Sequence, residues 1–161
     1  MKPLIVYYTR TGTTRKVAKK LSTLLRCDSE EIHETTSRSG IMGWLRAGRD
    51  SAYKRLTKLE NVNNDPAMYD VIVIGTPIWN HTLSAPIRTY IARYRDRFKS
   101  VAFFCTGYTT DKNPIEEMAS LCGKKPIATL RLQGKQEVEA DRYQYKVQEF
   151  VDKIASQTMF V

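Results

Sequence analysis

Four threonines and a glycine fall within six residues, Thr9-Arg10-Thr11-Gly12-Thr13-Thr14, directly after the apolar run Leu4–Tyr8. The segment that follows carries Val17, Leu21, Leu24 and Leu25 at helical spacing. A strand, a hydroxyl-rich turn with a glycine and a helix N-terminus together make an anion cradle. Backbone N–H groups point outward, the helix dipole favours negative charge, and each threonine hydroxyl can donate one more hydrogen bond. A phosphate monoester fits that chemistry. Threonine also caps helices, but four in six residues exceed what one cap requires. The loop has neither GxxxxGK[ST] nor GxGxxG, which sets aside the nucleoside-triphosphate and dinucleotide fingerprints. It holds neither a cysteine nucleophile followed by arginine nor a cluster of aspartates, so phosphatase and phospho-acceptor chemistry are disfavoured. A mononucleotide remains the natural ligand.

Two more loops carry residues suited to such a ligand. In Gly75-Thr76-Pro77-Ile78-Trp79-Asn80-His81-Thr82 a tryptophan stands beyond an apolar strand, near a proline that stiffens the backbone. It offers a flat apolar face to an aromatic ring system. Trp79 lies outside the helical stripes and is read as a ligand contact rather than core, whereas Trp44 sits in a helical segment and is read as packing. His81 is titratable and near the same loop, but a lone loop histidine is ordinarily a neutral hydrogen-bonder. It is a candidate contact with no catalytic role. The third loop, Cys105-Thr106-Gly107-Tyr108-Thr109-Thr110, follows another apolar run. Cys105 ends that run with nothing beside it in sequence to lower its pKa, so packing is expected over nucleophilic catalysis.

The elements that must position these loops follow from periodicity. Apolar, β-rich runs at Leu4–Tyr8, Val71–Gly75, Val101–Cys105 and Ile127–Leu132, with a weaker one near Ser29–Glu34, predict five strands. Helical stripes separate them: Ile87, Tyr90, Ile91 and Tyr94; Ile115, Met118, Ala119 and Cys122; Tyr143, Val147, Phe150, Val151 and Ile154. A less regular stripe from Ile41 to Leu59 reads as one more helix, frayed at its glycines. Alternating strands and helices predict a three-layer α-β-α sandwich around a doubly wound parallel sheet, strand order 2-1-3-4-5. Ligands of such sheets bind beyond the strand carboxyl ends where the winding reverses, which places the first, third and fourth loops at the site.

At 161 residues the chain is expected to form a single domain over 1–161. Hydrophobic residues at 42% and charged residues at 27% argue for a globular chain rather than a disordered one. No apolar run is long enough for a signal peptide or a membrane span. Cys27, Cys105 and Cys122 have no CxxC spacing and only two histidines accompany them, so a zinc site is not expected. Reduced thiols and a cytoplasmic location are. The net charge of +9 is concentrated, with six Lys or Arg against one Asp in Ser37–Lys58 and five against one in Ala85–Ser100. The plainer reading is a pair of solvated helix faces; the sharper one is a surface that steers an acidic partner. No nucleic-acid motif accompanies the charge.

The Thr9–Thr14 loop resembles the flavodoxin signature, a Ser/Thr-x-Thr-Gly-x-Thr loop that holds the phosphate of FMN, and GTPIWNHTLSAPIRTY is similar to the flavin-facing loop of small flavodoxin-like proteins. The resemblance spans nearly the whole chain and is to the short-chain type. It implies phosphate contacts from Thr9, Thr11, Thr13 and Thr14, with the backbone of Arg10 and Gly12 completing the loop. Arg10 departs from the usual uncharged occupant and is expected to extend into water. The resemblance also implies ring contacts from Thr76, Pro77, Ile78, Trp79, Asn80 and His81, and from Cys105, Thr106, Gly107, Tyr108 and Thr109, with Tyr108 the candidate stacking aromatic. The expected function is electron transfer between redox partner proteins by one bound FMN, in a monomer or weak dimer. The alternatives are an FMN-dependent NAD(P)H:quinone or flavin reductase, and a flavin-free interaction module.

Overall fold

The computed structural model describes residues 1–35, 56–79, 82–107 and 114–157. Five parallel strands form its centre: β1 Pro3–Tyr7, β2 Asp28–Glu31, β3 Val71–Trp79, β5 Ser100–Thr106 and β6 Thr129–Leu132, in the order β2-β1-β3-β5-β6. That is the predicted winding. A sixth strand, β4 Thr82–Leu83, pairs antiparallel with Ile78 and Trp79 at the end of β3. Two residues are too few to show a period, which is why the sequence predicts five strands.

Strand residues alternate between two cores because successive side chains leave a strand on opposite faces. Leu4, Val6, Ile72, Ile74, Val101 and Phe103 face one way, against α2 (Ala85–Tyr94) and α3 (Pro114–Cys122). Ile5, Tyr7, Val73, Phe104, Leu130 and Leu132 face the other, against α1 (Thr13–Leu25) and α4 (Gln144–Ser156). The described stripes face the core: Val147, Phe150, Val151 and Ile154 of α4 are all buried, and Leu24, Leu25, Tyr94 and Ala119 pack against it partly buried. Burying each such side chain fully contributes roughly 1.5–3 kcal/mol.

Several boundaries differ from the sequence expectation: β3 runs past Gly75 to Trp79, so Thr76, Pro77, Ile78 and Trp79, expected in a loop beyond the strand, are strand residues, and the last strand starts at Thr129 rather than Ile127. β2 ends at Glu31, and Glu34 instead forms an isolated antiparallel bridge with Leu59. Residues 56–60 are therefore not helical: Thr35 N–H donates to Lys58 O at 3.1 Å and Glu60 N–H to His33 O at 2.9 Å, which holds the segment extended. The rest of the stripe starting at Ile41, with Trp44, lies outside the described residues. Behind this bridge the buried Glu30 carboxylate accepts the N–H groups of Asn63 and Asn64 at 2.5 and 3.0 Å and the Asn64 amide at 2.9 Å, anchoring the approach to β3.

Candidate functional site

β1 delivers Thr9 to the carboxyl edge of the sheet, and Gly12 turns the chain into α1. Gly12 has φ +95°, a left-handed conformation that side chains rarely adopt, which explains a glycine there. The Thr9 Oγ1 accepts the Gly12 N–H at 3.1 Å, so its own O–H proton stays available to a ligand. The Thr11 and Thr13 hydroxyls lie 3.4 Å apart. Thr14 is buried, and its hydroxyl meets that of Thr106 at 2.8 Å, pinning the start of α1 to the end of β5. That pair carries two protons and uses one between them, which leaves one to donate outward.

Of the two arginines near the loop, Arg10 lines the cavity and Arg15 is paired away from it. Arg15, in the first turn of α1, is forked onto Glu31 with two bonds of 2.7 Å, and Tyr7 O–H donates to the same carboxylate at 3.0 Å. Burial, then the Glu31 bond and charge, push Tyr7 up to about 12, which keeps it a proton donor. Burial also pushes the Glu31 carboxyl up, but the bonds from Arg15 and Tyr7 and the Arg15 charge outweigh it and hold Glu31 below its ordinary value. An anion in the loop therefore meets N–H groups, hydroxyls and the α1 dipole, with Arg10 on the cavity wall and Arg15 held away on Glu31.

The second wall is the β3–β4 hairpin. Its neck is closed by Thr76: Thr76 O–H lies 2.9 Å from Pro77 O and 3.1 Å from Ser84 Oγ, and Ser84 N–H donates to Thr76 Oγ1 at 3.1 Å. Pro77 and Ile78 are thereby turned toward Thr106 and Gly107. A Cβ on Gly107 would stand 2.7 Å from Ile78 Cβ, so only glycine allows the hairpin and the β5 end to approach this closely. Between the loop and these walls lies a cavity of about 300 Å³ lined by Arg10, Thr11, Thr13, Thr14, Pro77, Ile78, Thr106 and Gly107, with Gly134 and Glu139 across from them. A second hollow of about 210 Å³ shares Ile78 and Gly107 and continues over Cys105, Arg131, Leu132, Gln133, Glu137 and Lys146.

The flavodoxin family model matches residues 2–153 of this sequence. The chain belongs to the flavodoxin family. Solved structures agree on the fold. A flavoprotein candidate from Bacteroides eggerthii is 22% identical, with TM-score 0.75 over 96% of this chain and 98% of that one. The flavoprotein from Lactobacillus acidophilus crystallised with FMN is 21% identical, with TM-score 0.68 over 86% and 97%. Oxidised flavodoxin 1 from Bacillus cereus is 13% identical, with TM-score 0.58 over 96% and 98%. No curated protein matches the sequence.

In this flavodoxin the residues singled out by sequence fall into distinct groups. Eight of them line the main cavity as described; Arg10, expected to extend into water, is among them and is half-buried. Thr9, Gly12 and Thr76 shape the loop and the hairpin neck from behind. Cys105 lines the second hollow, and Arg131 stands opposite it in the β5–β6 register. Arg131 pulls the thiol down, contrary to the expectation of no such neighbour, but burial outweighs it and pushes Cys105 up to about 12. It is a packed thiol. Asn80, His81, Tyr108 and Thr109 lie outside the described residues, and of Trp79 only the backbone, at the end of β3, is described.

The sequence reading missed the segment after β6. Gly134–Glu139 forms a wide, π-type turn held by Lys16 Nζ donating to Val138 O at 2.8 Å, by Gln133 N–H on Glu137 at 2.7 Å and by Lys146 on Glu137 at 2.5 Å. Burial pushes the Glu137 carboxyl up, but Lys146 and the Gln133 N–H hold it below its ordinary value. The signal was positional: Gly134 is two residues past the carboxyl end of β6, where the same rule that located the other loops applies.

Proposed function

We propose that this flavodoxin family member binds one FMN in the cavity between the Thr9–Thr14 loop, Ile78 and Gly107, and transfers electrons between redox proteins as a single domain over 1–161. The observation that carries the reading is the cradle itself: a left-handed Gly12 at a helix N-terminus, an unspent hydroxyl proton in the Thr14–Thr106 pair and another on Thr9 behind the loop, and a cavity of about 300 Å³ lined by Thr11, Thr13, Thr14 and Thr106. These donors suit a phosphate dianion, and the apolar Pro77–Ile78 wall suits a flat ring. FMN, when bound, supplies the one- and two-electron chemistry. The chain's own groups bind and orient it. Thr9, Thr11, Thr13 and Thr14 hold the phosphate, Arg10 borders it, and Ile78 and Gly107 exclude water from one side of the ring. Trp79, Asn80 and His81, with Tyr108 and Thr109, supply the remaining ring contacts. In the same reading the protein works in the cytoplasm, as a monomer or weak dimer, with acidic redox partners and without membrane or nucleic acid.

The second hollow favours one other reading. It adjoins the main cavity through Ile78 and Gly107, and an FMN-dependent NAD(P)H:quinone or flavin reductase needs space beside the ring for a second substrate. Anaerobic stopped-flow mixing of the FMN-loaded protein with NADH and NADPH separates the two. Slow reduction by both nucleotides is the carrier result. Rapid reduction followed by turnover with a quinone establishes the reductase.

A further inference from the structure

Arg88 was expected on a solvated helix face, and the structure buries it at 3% exposure in the first turn of α2. Its Nη2 donates to Glu117 Oε1 at 2.9 Å and to Thr82 Oγ1 at 3.0 Å, with Leu83 O at 3.5 Å, and Thr82 O–H closes the triangle onto Glu117 Oε2. Its Nε and Nη1 are buried with no hydrogen-bond partner among the described residues.

As a stabilising device this arrangement is poor. A cation at a helix N-terminus opposes the dipole, a buried ion pair is commonly no better than an apolar pair of the same shape, and two orphaned donor atoms add to the cost. What the arrangement does is geometric. Thr82 and Leu83 belong to β4, the returning arm of the hairpin that carries Pro77 and Ile78. Glu117 belongs to α3, which follows the loop that leaves β5 at Thr106 and Gly107. The guanidinium is therefore a clamp between the two strand-end structures whose tips, Ile78 and Gly107, meet at the cavity.

The β3–β5 ladder runs to the pair Pro77 and Thr106, and Gly107 N–H donates to Leu132 O at 3.0 Å. Beyond that last rung, we infer that Arg88 is a positioning residue: by holding Thr82 and Leu83 of β4 to Glu117 of α3, it fixes the close approach of Ile78 to Gly107 and with it the slot for the flavin ring. The inference rests on the FMN reading above. Ile78 and Gly107 line the same cavity as Thr11 and Thr13 but belong to other elements, so in this reading the clamp acts first on the ring and changes the phosphate contribution less. Preorganised walls cost a ligand less to bind than walls it must assemble.

The test is a double variant, Arg88→Met with Glu117→Leu, which removes both charges together and keeps apolar volume, alongside Arg88→Met alone. Apoprotein thermal midpoints, flavin titrations by fluorescence quenching and the nuclear Overhauser contact between Ile78 and Gly107 in the flavin-free protein are measured. The expected result is a folded double variant that has lost the Ile78–Gly107 contact and binds FMN and riboflavin each about tenfold more weakly, with their affinity ratio little changed. A double variant with the contact retained, with both affinities unchanged, or with only FMN weakened overturns the inference, because the pair is then core packing or acts on the phosphate loop. If the unaltered chain binds neither flavin, the FMN reading itself falls, and the Ile78–Gly107 contact alone decides whether Arg88 positions the two walls.

Discussion

Reversing the charge cluster Arg95, Arg97 and Lys99 to glutamate probes how far the basic surface reaches into the redox chemistry. From sequence, positive helices near the site are expected to stabilise reduced, anionic flavin and raise the second one-electron potential. The structure puts this cluster at the amino end of β5, where Arg97 and Lys99 face Asp65 and Asp70 at 3.1 and 3.3 Å. The proposed flavin cavity is at the other end of that seven-residue strand, about 20 Å away at roughly 3.3 Å per residue. At that distance in water each unit charge contributes about 0.2 kcal/mol before screening, and the triple reversal changes six units, so about 1.2 kcal/mol in all. With a Debye length of about 8 Å at 0.15 M salt this falls to about 0.1 kcal/mol; with about 30 Å at 0.01 M it stays near 0.6 kcal/mol. At about 59 mV per tenfold for one electron, the expected negative shifts are about 4 mV and about 25 mV respectively. Redox titration of the FMN-loaded triple variant at the two ionic strengths measures both. A shift of several tens of millivolts at 0.15 M would refute the placement of the cluster remote from the flavin.

Other substitutions read the site more locally. Thr11→Val removes one donor and keeps the shape; a hydrogen bond to a charged group is worth roughly 1.5–3 kcal/mol, so FMN affinity by fluorescence titration falls about tenfold or more while riboflavin affinity is unchanged. Gly107→Ala places a Cβ 2.7 Å from Ile78 Cβ, an overpacking cost of about 1–3 kcal/mol in urea denaturation, and it weakens both flavins by narrowing the slot. Glu31 is held below its ordinary value, so its contribution to stability is present above its unfolded pKa and is lost as pH falls through the folded one. Glu31→Gln therefore lowers the unfolding free energy from urea denaturation at pH 7 by less than about 1 kcal/mol, given the exposed Arg15 partner, and the difference from the unaltered chain shrinks as pH falls below the ordinary carboxylate value of about 4.3 and closes once it passes the lower folded value.

What could be read from sequence was whatever announces itself through period or local spacing. The strand runs and the stripes of α1, α2, α3 and α4 follow burial, and burial is periodic. The Thr9–Thr14 loop is contiguous, so its cradle was visible without any tertiary contact. The unread parts are those made by residues distant in the chain. Arg88 looks like surface charge until Glu117, 29 residues on, is brought beside it. Arg131 meets Cys105 only through the β5–β6 register, and Thr14 meets Thr106 across 92 residues. β4 is too short for a period, and the stripe ending at Leu59 reads as helix because spacing alone does not reveal the bridge to Glu34. The charge runs were counted correctly, but their side of the sheet follows from strand direction: Arg95–Lys99 precede β5 and so sit at its amino end.

The central claim is that FMN seats at the carboxyl edge of the sheet between the Thr9–Thr14 loop, Ile78 and Gly107. Titrating the labelled apoprotein with FMN and following backbone amide resonances tests it most directly. Saturation at one equivalent, with the largest shifts at Gly12, Thr13, Thr14, Gly107 and Gly134, is the predicted result. A hollow of about 480 Å³ at the amino end of the sheet, lined by Met1, Lys2, Ser22, Arg26, Cys27 and Asp28, provides the contrast. Shifts concentrated there, or none at Gly12 and Gly107 at saturating FMN, would contradict the account.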